Sequence, residues 1–468
     1  MSITTEQLED WLKSAEGEHL EFKEAKTQYD LTKLQRYCVA LANESGGKLI
    51  LGVNDAKPRL VVGSQAFLNL DDVKSKIFDK LHIRVNVQEI PHPSGRVVVF
   101  DVPPRPTGTA LHFDGSYLMR VGGDLVPMSA DQLRRIFAEG QPDFLSQIAL
   151  GGLAVNDIVR LLDTQIYFDL LKIPYPAERK GVLGRFISEK LINKHKDTYE
   201  ITNLGAILFA KDLREFETVY RKAPRVIVYD GKSKIKTRAD RTNYKGYVTG
   251  FENLIEHINT QLPSNEVIGK AFREEVKMFP HIAIRELVAN ALIHQDFGEH
   301  GMSVMIEIYA DRMEISNPGL PPIATDRLID GYQSINEKLA DIMRRLRICE
   351  EQGSGIDKVI DSIEGWQLPA PDFRNGEKRF SAILFSQKSF DKMSRNARIR
   401  ACYQHCCLKY VTGEQMTNHS LRERFNLNEY KAHSASRIIK DTLDAKMIKI
   451  DDPESSSKRY SKYIPYWA

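Results

Sequence analysis

A short, mostly apolar run, Lys48–Val53, follows a helical stretch, Leu31–Asn43, through a turn that contains Gly46 and Gly47. The run is too short for a stable helix and is bounded by glycines, so it predicts a buried strand. A helix that returns through a tight turn into a buried strand is typical of helices layered on a sheet. A second helical pattern, Val155–Leu171, is also followed by strand-like segments. The sequence therefore predicts an α/β fold.

The chain is too long for one compact core. It has 468 residues, whereas a domain usually contains about 100–200. Changes in pattern and Gly- or Pro-rich joints divide it into four predicted domains. We expect an α+β domain over 1–140, a helical, winged-helix-like connector over 153–250, an α/β domain over 251–388 and a winged helix over 390–468.

Composition excludes several classes of protein. Hydrophobic residues make up 42% and charged residues 28%, which is ordinary for a globular protein and too apolar for a disordered one. No apolar run approaches the ~20 residues that span a bilayer. The first residues lack the basic and apolar regions of a secretory signal, and five cysteines are an odd number, which favours reduced thiols. We expect a cytoplasmic protein without a membrane partner.

Acidic residues near the amino end form the first candidate site. Glu21 and Lys23 lie on one face of a predicted strand, while Phe22 points to the core. Glu16 precedes this strand, and Asp55 follows the buried run. Carboxylates that converge with one lysine suit a divalent cation and a phosphodiester. The alternative is a solvated helix end with an ordinary Glu–Lys surface pair.

The same residues carry a resemblance to a known family. The pattern E-x₄-E-F-K, a helix, and N-x-x-G-G-x₄-G-V-x-D resembles the Schlafen-type, AlbA-like domain. It is formed by Glu16, Glu21, Phe22, Lys23, Asn43, Gly46, Gly47, Gly52, Val53 and Asp55. The resemblance implies a metal-dependent RNA-cleaving site in which Glu16, Glu21 and Asp55 bind Mg²⁺ or Mn²⁺ and Lys23 completes the catalytic set. Other members of the family are DNA-binding regulators.

A second group of polar residues lies in the predicted third domain. Glu286, Asn290 and His294 are spaced four residues apart, so they share one face of a helix. Asn317-Pro-Gly319 follows two predicted strands, and Gly353-Ser-Gly355 opens the next helix. A Glu and an Asn one turn apart can orient water and hold Mg²⁺ on a triphosphate, and glycines at a helix start expose N–H groups to an anion. The alternatives are a solvated polar stripe and a simple helix cap.

In this order the motifs resemble the GHKL ATP-binding fold, in the divergent version that follows a Schlafen-type domain in bacterial proteins. The resemblance implies an α/β sandwich that binds ATP, with Asn290 as a Mg²⁺ ligand and Glu286 as a water-orienting base. The implied ATP-binding residues are Glu286, Asn290, His294, Asn317, Gly319, Gly353, Ser354 and Gly355. The sequence departs from better-known members of the fold, because Asn317-Pro-Gly319 replaces the D-x-G-x-G adenine box.

Basic residues form candidate nucleic-acid contacts in two places. One is a stretch near residue 235, and the other lies at the predicted wing of the C-terminal domain, a domain that carries more Lys and Arg than acids. The candidate residues are Lys232, Lys234, Lys236, Arg238, Lys458 and Arg459. Such residues track a phosphate backbone or form a solvated loop.

Two functions fit these features. The first is an ATP-binding, metal-dependent endoribonuclease that acts on structured RNA such as tRNA, in anti-phage defence. The second is an ATP-responsive, DNA-binding transcriptional regulator without catalytic activity. Three acids and Lys23 aimed at a phosphate favour the nuclease. The Schlafen resemblance implies RNA as its target, with DNA as the other target. Family nucleases enclose RNA between two copies of this lobe, so the resemblance also implies a homodimer or higher homo-oligomer.

Overall fold

The structure of the chain is a computed structural model. It describes residues 3–14, 16–55, 57–140, 143–268, 273–331, 333–349, 355–452 and 461–468. The chain divides into two compact units, residues 1–142 and 143–468. Both combine helices with sheets, which confirms the predicted mixed α/β class. The division into four domains stays a prediction. In the part of the chain that is described, no helix has the length and apolar character needed to cross a membrane.

The first unit is built on a four-stranded sheet beside a smaller three-stranded one. The strands are β1 (Leu20–Lys23), β2 (Gly47–Leu51), β3 (Asn86–His92), β4 (Gly95–Val102), β5 (His112–Phe113), β6 (Ser116–Val121) and β7 (Asp124–Pro127). The helices are α1 (Thr5–Lys13), α2 (Leu31–Asn43), α3 (Leu70–Leu81) and α4 (Ala130–Ala138). In the order β1-β2-β4-β3, β1 is parallel to β2 and the other neighbours are antiparallel. Helix α2 packs against β2 and β6, so the larger core lies along this helix.

The turn from α2 into β2 needs both of its glycines. Gly46 has φ +93°, and a Cβ there would lie 2.8 Å from the carbonyl oxygen of Val102. A Cβ on Gly47 would lie 2.6 Å from the carbonyl oxygen of His19. Any side chain at either position would therefore push β2 away from its neighbours. This close approach aligns β2 with β1, the strand that carries Glu21.

The second unit begins with four short helices and a three-stranded antiparallel sheet in the order β8-β10-β9. The strands are β8 (Ile148–Leu153), β9 (Ile192–His195) and β10 (Thr198–Thr202), and the helices are α5 (Val155–Leu161), α6 (Thr164–Leu171), α7 (Arg179–Ser188) and α8 (Asn203–Phe209). The predicted single helix Val155–Leu171 is two helices. The break falls at Asp163, whose carboxylate accepts a hydrogen bond from the amide of Ile166 and so starts α6 as an N-cap.

A six-stranded sheet forms the middle of the second unit. Its strands are β11 (Arg225–Tyr229), β12 (Thr237–Thr242), β15 (Met305–Ile308), β16 (Arg312–Pro318), β17 (Asp372–Asn375) and β18 (Arg379–Phe385). The strands β13 (Ser264–Ile268) and β14 (Arg273–Lys277) form a separate hairpin. The helices are α9 (Tyr247–Gln261), α10 (His281–Ile293), α11 (Glu337–Arg345) and α12 (Gly355–Gly365). The sheet order is β12-β11-β15-β16-β18-β17. Because β11 pairs in parallel with β15, residues assigned by sequence to the connector belong to this sheet.

The C-terminal part of the second unit contains α13 (Arg395–Val411), α14 (Asn418–Arg424), α15 (Ala432–Asp444), β19 (Ile448–Ile450) and β20 (Tyr463–Pro465). Its core is formed by the three helices and includes Cys402, Cys406 and Cys407, which are buried free thiols. Burial raises the pKa of the Cys402 thiol to about 12. These cysteines are therefore apolar core residues.

A buried ion network joins α12 to the C-terminal helices. The carboxylate of Glu364 lies 2.8 Å from Nδ1 of His405 and 3.1 Å from Nε of Arg424. Arg424 also donates a hydrogen bond of 2.7 Å to the carbonyl oxygen of Leu368, and burial lowers the pKa of its guanidinium. Removal of one member leaves a buried charge without a counterion, which is more costly than loss of an exposed pair.

We predict that Glu364→Ala destabilises the packing of α13 and α14 on α12 by about 3–5 kcal/mol, because Arg424 then lacks its counterion. The measurement is the free energy of opening of α13 and α14, from amide hydrogen exchange of the full chain. The control is Glu423→Ala, since Glu423 is 68% exposed in its pair with His419 and such a pair contributes about 0–1 kcal/mol. Equal effects of the two substitutions would contradict the assignment.

Candidate functional site

Strand β1 separates the core from the candidate site by the alternation of its side chains. Phe22 packs with Leu8 and Ile50 in an apolar cluster. Glu21, one residue earlier, points to the other face and is only 1% exposed. A buried carboxylate needs cations or hydrogen-bond donors around it. The site is therefore defined by what surrounds Glu21.

Two cations bind Glu21. One carboxylate oxygen accepts a hydrogen bond of 2.5 Å from Nη2 of Arg120, and the other forms an ion pair with Nζ of Lys23. The ring of Tyr37, on α2, lies 5.7 Å from the Lys23 ammonium and 5.5 Å from the Arg120 guanidinium. Glu21 thus lies in a local network of positive charge and an aromatic face.

Arg120 is the site residue that the sequence reasoning missed. It lies on β6, is 1% exposed, and its Nε donates a hydrogen bond of 2.9 Å to the carbonyl oxygen of Gly17. Its Nη1 is buried and, among the described residues, has no hydrogen-bond partner. The alternation of side chains along β6 could have identified Arg120, because it shares the inward face of the strand with Leu118. An arginine on the buried face of a strand implies a buried acid.

Lys23 links the buried acid to an exposed one. Its ammonium lies 3.8 Å from an oxygen of Asp55, whose side chain is 59% exposed. Burial alone would lower the pKa of Lys23, but the hydrogen bond and charge of Glu21 outweigh it and the pKa is raised above its usual value. Lys23 is therefore protonated at neutral pH and lies between Glu21 and Asp55.

Glu16 is held by the backbone of β1. One of its carboxylate oxygens accepts a hydrogen bond of 3.1 Å from the amide of Phe22. The adjacent Gly17 pairs with Leu20 in a β-bridge, so the chain folds back at this point. The Glu16 side chain therefore lies against the backbone of the strand that carries Glu21. Glu21 and Asp55 are joined by their ion pairs with Lys23.

This arrangement does not fit a divalent metal ion. Both oxygens of Glu21 are already bound to cations. Among the described residues, no three His, Cys, Asp or Glu side chains are grouped so that they could hold a metal. A Mg²⁺ or Mn²⁺ ion on Glu16, Glu21 and Asp55 would need two or three free carboxylates at one point. We therefore assign no chemical step at this site to a metal.

The second group of predicted residues converges on one pocket of the second unit. Glu286 in the middle of α10, Asn290 in its last turn and the C-cap His294 line it together with Asn317 from the end of β16. Helix α12 closes one side with Gly355. The spacing of four residues along α10 thus brings three polar side chains to the same cavity, as their pattern predicts.

Gly355 lies close to the polar end of this pocket. A Cβ on Gly355 would lie 2.9 Å from a carboxylate oxygen of Glu286 and 3.7 Å from the amide nitrogen of Asn290. Both side chains therefore approach the same point at the start of α12. The Asn290 atom that faces this point is the amide nitrogen, so its oxygen would face a Mg²⁺ ion there only with the amide turned over. In that orientation a carboxylate and an amide oxygen are donors of the kind that Mg²⁺ uses beside the phosphates of ATP.

The Asn-Pro-Gly turn lines the pocket through Asn317 and also holds two elements of the fold together. The amide nitrogen of Asn317 donates a hydrogen bond of 3.1 Å to the carbonyl oxygen of His294, which ties the end of β16 to α10. Gly319 has φ +87°, and a Cβ there would lie 2.8 Å from Cβ of Asp296.

Burial lowers the pKa of His294 to about 4. His294 is therefore neutral at pH 7.

One cationic side chain of this pocket was not predicted from the sequence. Arg344, near the end of α11, also lines the pocket. A guanidinium is the side chain that best matches phosphate oxygens. The signal was the amphipathic run Glu337–Arg345, which ends in two arginines. Gly353 and Ser354 lie outside the described residues.

The basic stretch near residue 235 is mostly paired with acids. Ion pairs join Lys232 to Asp311 at 3.7 Å, Lys234 to Glu307 at 2.7 Å, and Lys236 to Asp230 at 2.9 Å. Arg238 donates a hydrogen bond of 3.2 Å to the carbonyl oxygen of Gln261. The stretch is therefore closer to charge balance than its sequence suggests. Lys458 and Arg459 lie outside the described residues.

Solved structures with similar features include two bacterial proteins. The crystal structure of the DIP2311 protein from Corynebacterium diphtheriae has 17% identity and a TM-score of 0.43, and the match covers 98% of this chain and 96% of that one. The solution structure of the N-terminal domain of a putative ATP-dependent DNA helicase RecG-related protein from Nitrosomonas europaea has 19% identity and a TM-score of 0.21. That match covers 28% of this chain and 94% of that one. No curated protein gives a significant match.

Two family models match the chain. Residues 16–129 match the family described as "Schlafen, AlbA_2", a range that contains the network around Glu21. Residues 301–384 match the family described as "Putative ATP-dependent DNA helicase recG C-terminal", of the HATPase_c_4 type. This range contains Asn317, Gly319 and Gly355, while α10 precedes it. The resemblance drawn from the motifs is confirmed, and the chain combines a Schlafen AlbA_2 domain with a RecG-like domain of the ATPase type.

Proposed function

We propose that this protein binds ATP and acts on nucleic acid, with RNA as the favoured target. The observation that carries the proposal is the convergence of Glu286, Asn290 and Gly355 at one end of a single pocket. Ligand pockets combine apolar walls with a few well-placed polar groups. This pocket meets that description, since Ile315 and Phe380 are also among its walls.

Three residues of the pocket have roles that follow from their chemistry. In the proposed complex, Asn290 supplies an oxygen to Mg²⁺, and Arg344 offsets charge on the phosphates. Glu286 is the acid nearest to that point and is the proposed water-orienting base. Mg²⁺, when bound, neutralises the triphosphate. Neutral His294 adds no charge to the pocket at pH 7.

We further propose that the AlbA_2 domain is an endoribonuclease for structured RNA such as tRNA, with anti-phage defence as its context. The support is the position of Lys23 between a buried and an exposed acid. Lys23 is the cation for the phosphodiester, and Asp55 is the exposed proton acceptor beside it. Glu21 and Arg120 position Lys23. The alternative is that the same domain binds DNA without cutting it, as in a transcriptional regulator. A homodimer stays a prediction.

The cleavage proposal predicts that Lys23→Met lowers the rate of tRNA cleavage by about 100-fold, since removal of one charge-stabilising donor typically costs that much. Cleavage products of tRNA are measured on gels, with Mg²⁺, with Mn²⁺ and with EDTA. The EDTA arm tests directly whether the activity needs a metal. The control is Lys26→Met, because Lys26 is 59% exposed and, among the described residues, forms an ion pair with Glu24 alone.

The nuclease is rejected if the wild-type chain leaves tRNA intact in all three conditions. If the wild type cuts tRNA and Lys23→Met and Lys26→Met cut it at the same rate, the assignment of cleavage to the site around Lys23 is rejected. Protection of duplex DNA in a footprint, without cutting, would support the regulator instead.

The nucleotide proposal predicts that Gly355→Ala weakens ATP binding by about tenfold, or roughly 1.4 kcal/mol. The added methyl group would force the Glu286 carboxylate to move within the pocket that it lines. Isothermal titration with Mg²⁺ and ATP measures the dissociation constant. The control is Gly365→Ala at the other end of α12, where a Cβ would have no neighbour within 4 Å. Unchanged ATP binding in Gly355→Ala would argue against this pocket as the nucleotide site.

The half-buried His294 predicts a loss of stability in acid. Its pKa is about 4 in the folded chain and ~6.5 when unfolded, so the unfolded chain binds the extra proton between these values. The stabilisation is complete above pH ~6.5 and is lost as pH falls toward 4, with about 2 kcal/mol lost at pH 5. Urea unfolding at pH 7 and pH 5 should show this loss in the wild type and a smaller one in His294→Gln. The exposed control His300→Gln should behave as wild type, and equal losses in all three chains would contradict the prediction.

A further inference from the structure

A second cavity of about 370 Å³ lies in the second unit, between α13 and the segment 325–329. Pockets for small molecules have volumes of about 300–1,000 Å³, so it is large enough for a ring-sized ligand. Leu328 and Ile356 line both this cavity and the nucleotide pocket, but the polar residues of the two are different. None of the residues proposed to bind ATP or RNA supplies a polar group here.

Most of the cavity wall is apolar. Helix α13 contributes Ile399, α12 contributes Ile360, and β17 contributes Phe373, while Ile329 and Met447 come from loops. An apolar wall of this kind favours a ligand with little charge and a hydrophobic body. The polar side chains therefore decide the orientation and the chemical class of the ligand.

Gln404 supplies a hydrogen-bond acceptor that no donor of the described residues reaches. Its side chain is on α13, lines the cavity and is 7% exposed. Its amide nitrogen donates a hydrogen bond of 2.9 Å to the carbonyl oxygen of Pro371, which fixes the orientation of the amide. The amide oxygen is buried and, within the described residues, has no hydrogen-bond partner. An unsatisfied buried acceptor is unfavourable, so a ligand that displaces the neighbouring side chains enough to donate one hydrogen bond to this oxygen would relieve that cost.

The charged groups of the cavity already have partners. Asp372 forms ion pairs with Arg400 at 3.3 Å and with Arg374 at 2.5 Å. The carboxylate of Asp326 accepts a hydrogen bond of 2.7 Å from the hydroxyl of Tyr466. An anionic ligand would meet two carboxylates, and a cationic ligand would meet Arg400. The balance of charge therefore favours a neutral ligand.

We propose that this cavity is a binding site for a neutral, ring-bearing and mostly apolar molecule that donates one hydrogen bond to the side-chain oxygen of Gln404. The apolar wall binds the ring, and Gln404 selects for an N–H or O–H group. The observations that support this site do not depend on ATP binding or on RNA cleavage. Its failure would leave both of those proposals untouched.

Indole and indene are matched probes for this site. They have the same bicyclic shape, but only indole carries an N–H donor. We expect indole to bind the full wild-type chain about tenfold more tightly than indene, the effect of one hydrogen bond worth about 1.4 kcal/mol. Isothermal titration of each probe measures the two dissociation constants. Failure of indole to bind, or equal binding of the two probes, would overturn the proposal without recourse to any variant.

Two substitutions locate the binding within the cavity. Gln404→Met keeps the volume but removes the acceptor, so indole and indene should bind equally to it. Ile399→Trp fills the cavity, so both probes should lose affinity. The control Gln415→Met, at an exposed position of the same C-terminal segment, should keep the tenfold preference. Circular dichroism checks that each variant is folded. A preference for indole that persists in Gln404→Met would overturn the assignment of the acceptor.

Discussion

Burial of the Glu21 carboxylate is the constraint on which the first unit depends. A carboxylate that is 1% exposed loses its hydration, and the cost is several kcal/mol unless cations replace the water. Arg120 and Lys23 replace it, and Arg120 also binds the carbonyl oxygen of Gly17. The strand β1, the strand β6 and the turn before β1 must therefore be assembled together. Loss of either cation would leave a buried charge with one counterion fewer.

The ion pairs of Glu21 also determine how charge is distributed from the interior of the candidate site to its surface. Glu21 and Arg120 are inside, Asp55 is at the surface, and Lys23 lies between the two acids. Because Lys23 is held by Glu21, its ammonium has a fixed position. In the proposed function such a fixed charge would stabilise a phosphate at little reorganisation cost. A buried acid neutralised by cations is thus compatible with contact to a polyanion, although three bare carboxylates would repel one.

Local patterns predicted much of this arrangement, and long-range pairing supplied the rest. The alternation Glu21-Phe22-Lys23 and the spacing of Glu286 and Asn290 each follow from a strand or helix period, so the sequence sufficed to place them on one face. Arg120 lies 99 residues from its partner Glu21 along the chain, and no local period specifies such a contact. The pairing of β11 with β15, and the partners of the basic stretch, were missed for the same reason.

The two cavities of the second unit share part of a wall, and this has a physical consequence. Leu328 and Ile356 line both of them, and Ile356 is on the first turn of α12, next to Gly355. The segment around residue 326 is itself held by Tyr403, whose hydroxyl donates a hydrogen bond of 2.7 Å to the carbonyl oxygen of Asp326. Since packed side chains cannot shift on one side without changing the space on the other, a ligand that displaced Leu328 or Ile356 in one cavity would change the shape of the other. Any such coupling of affinities is reciprocal.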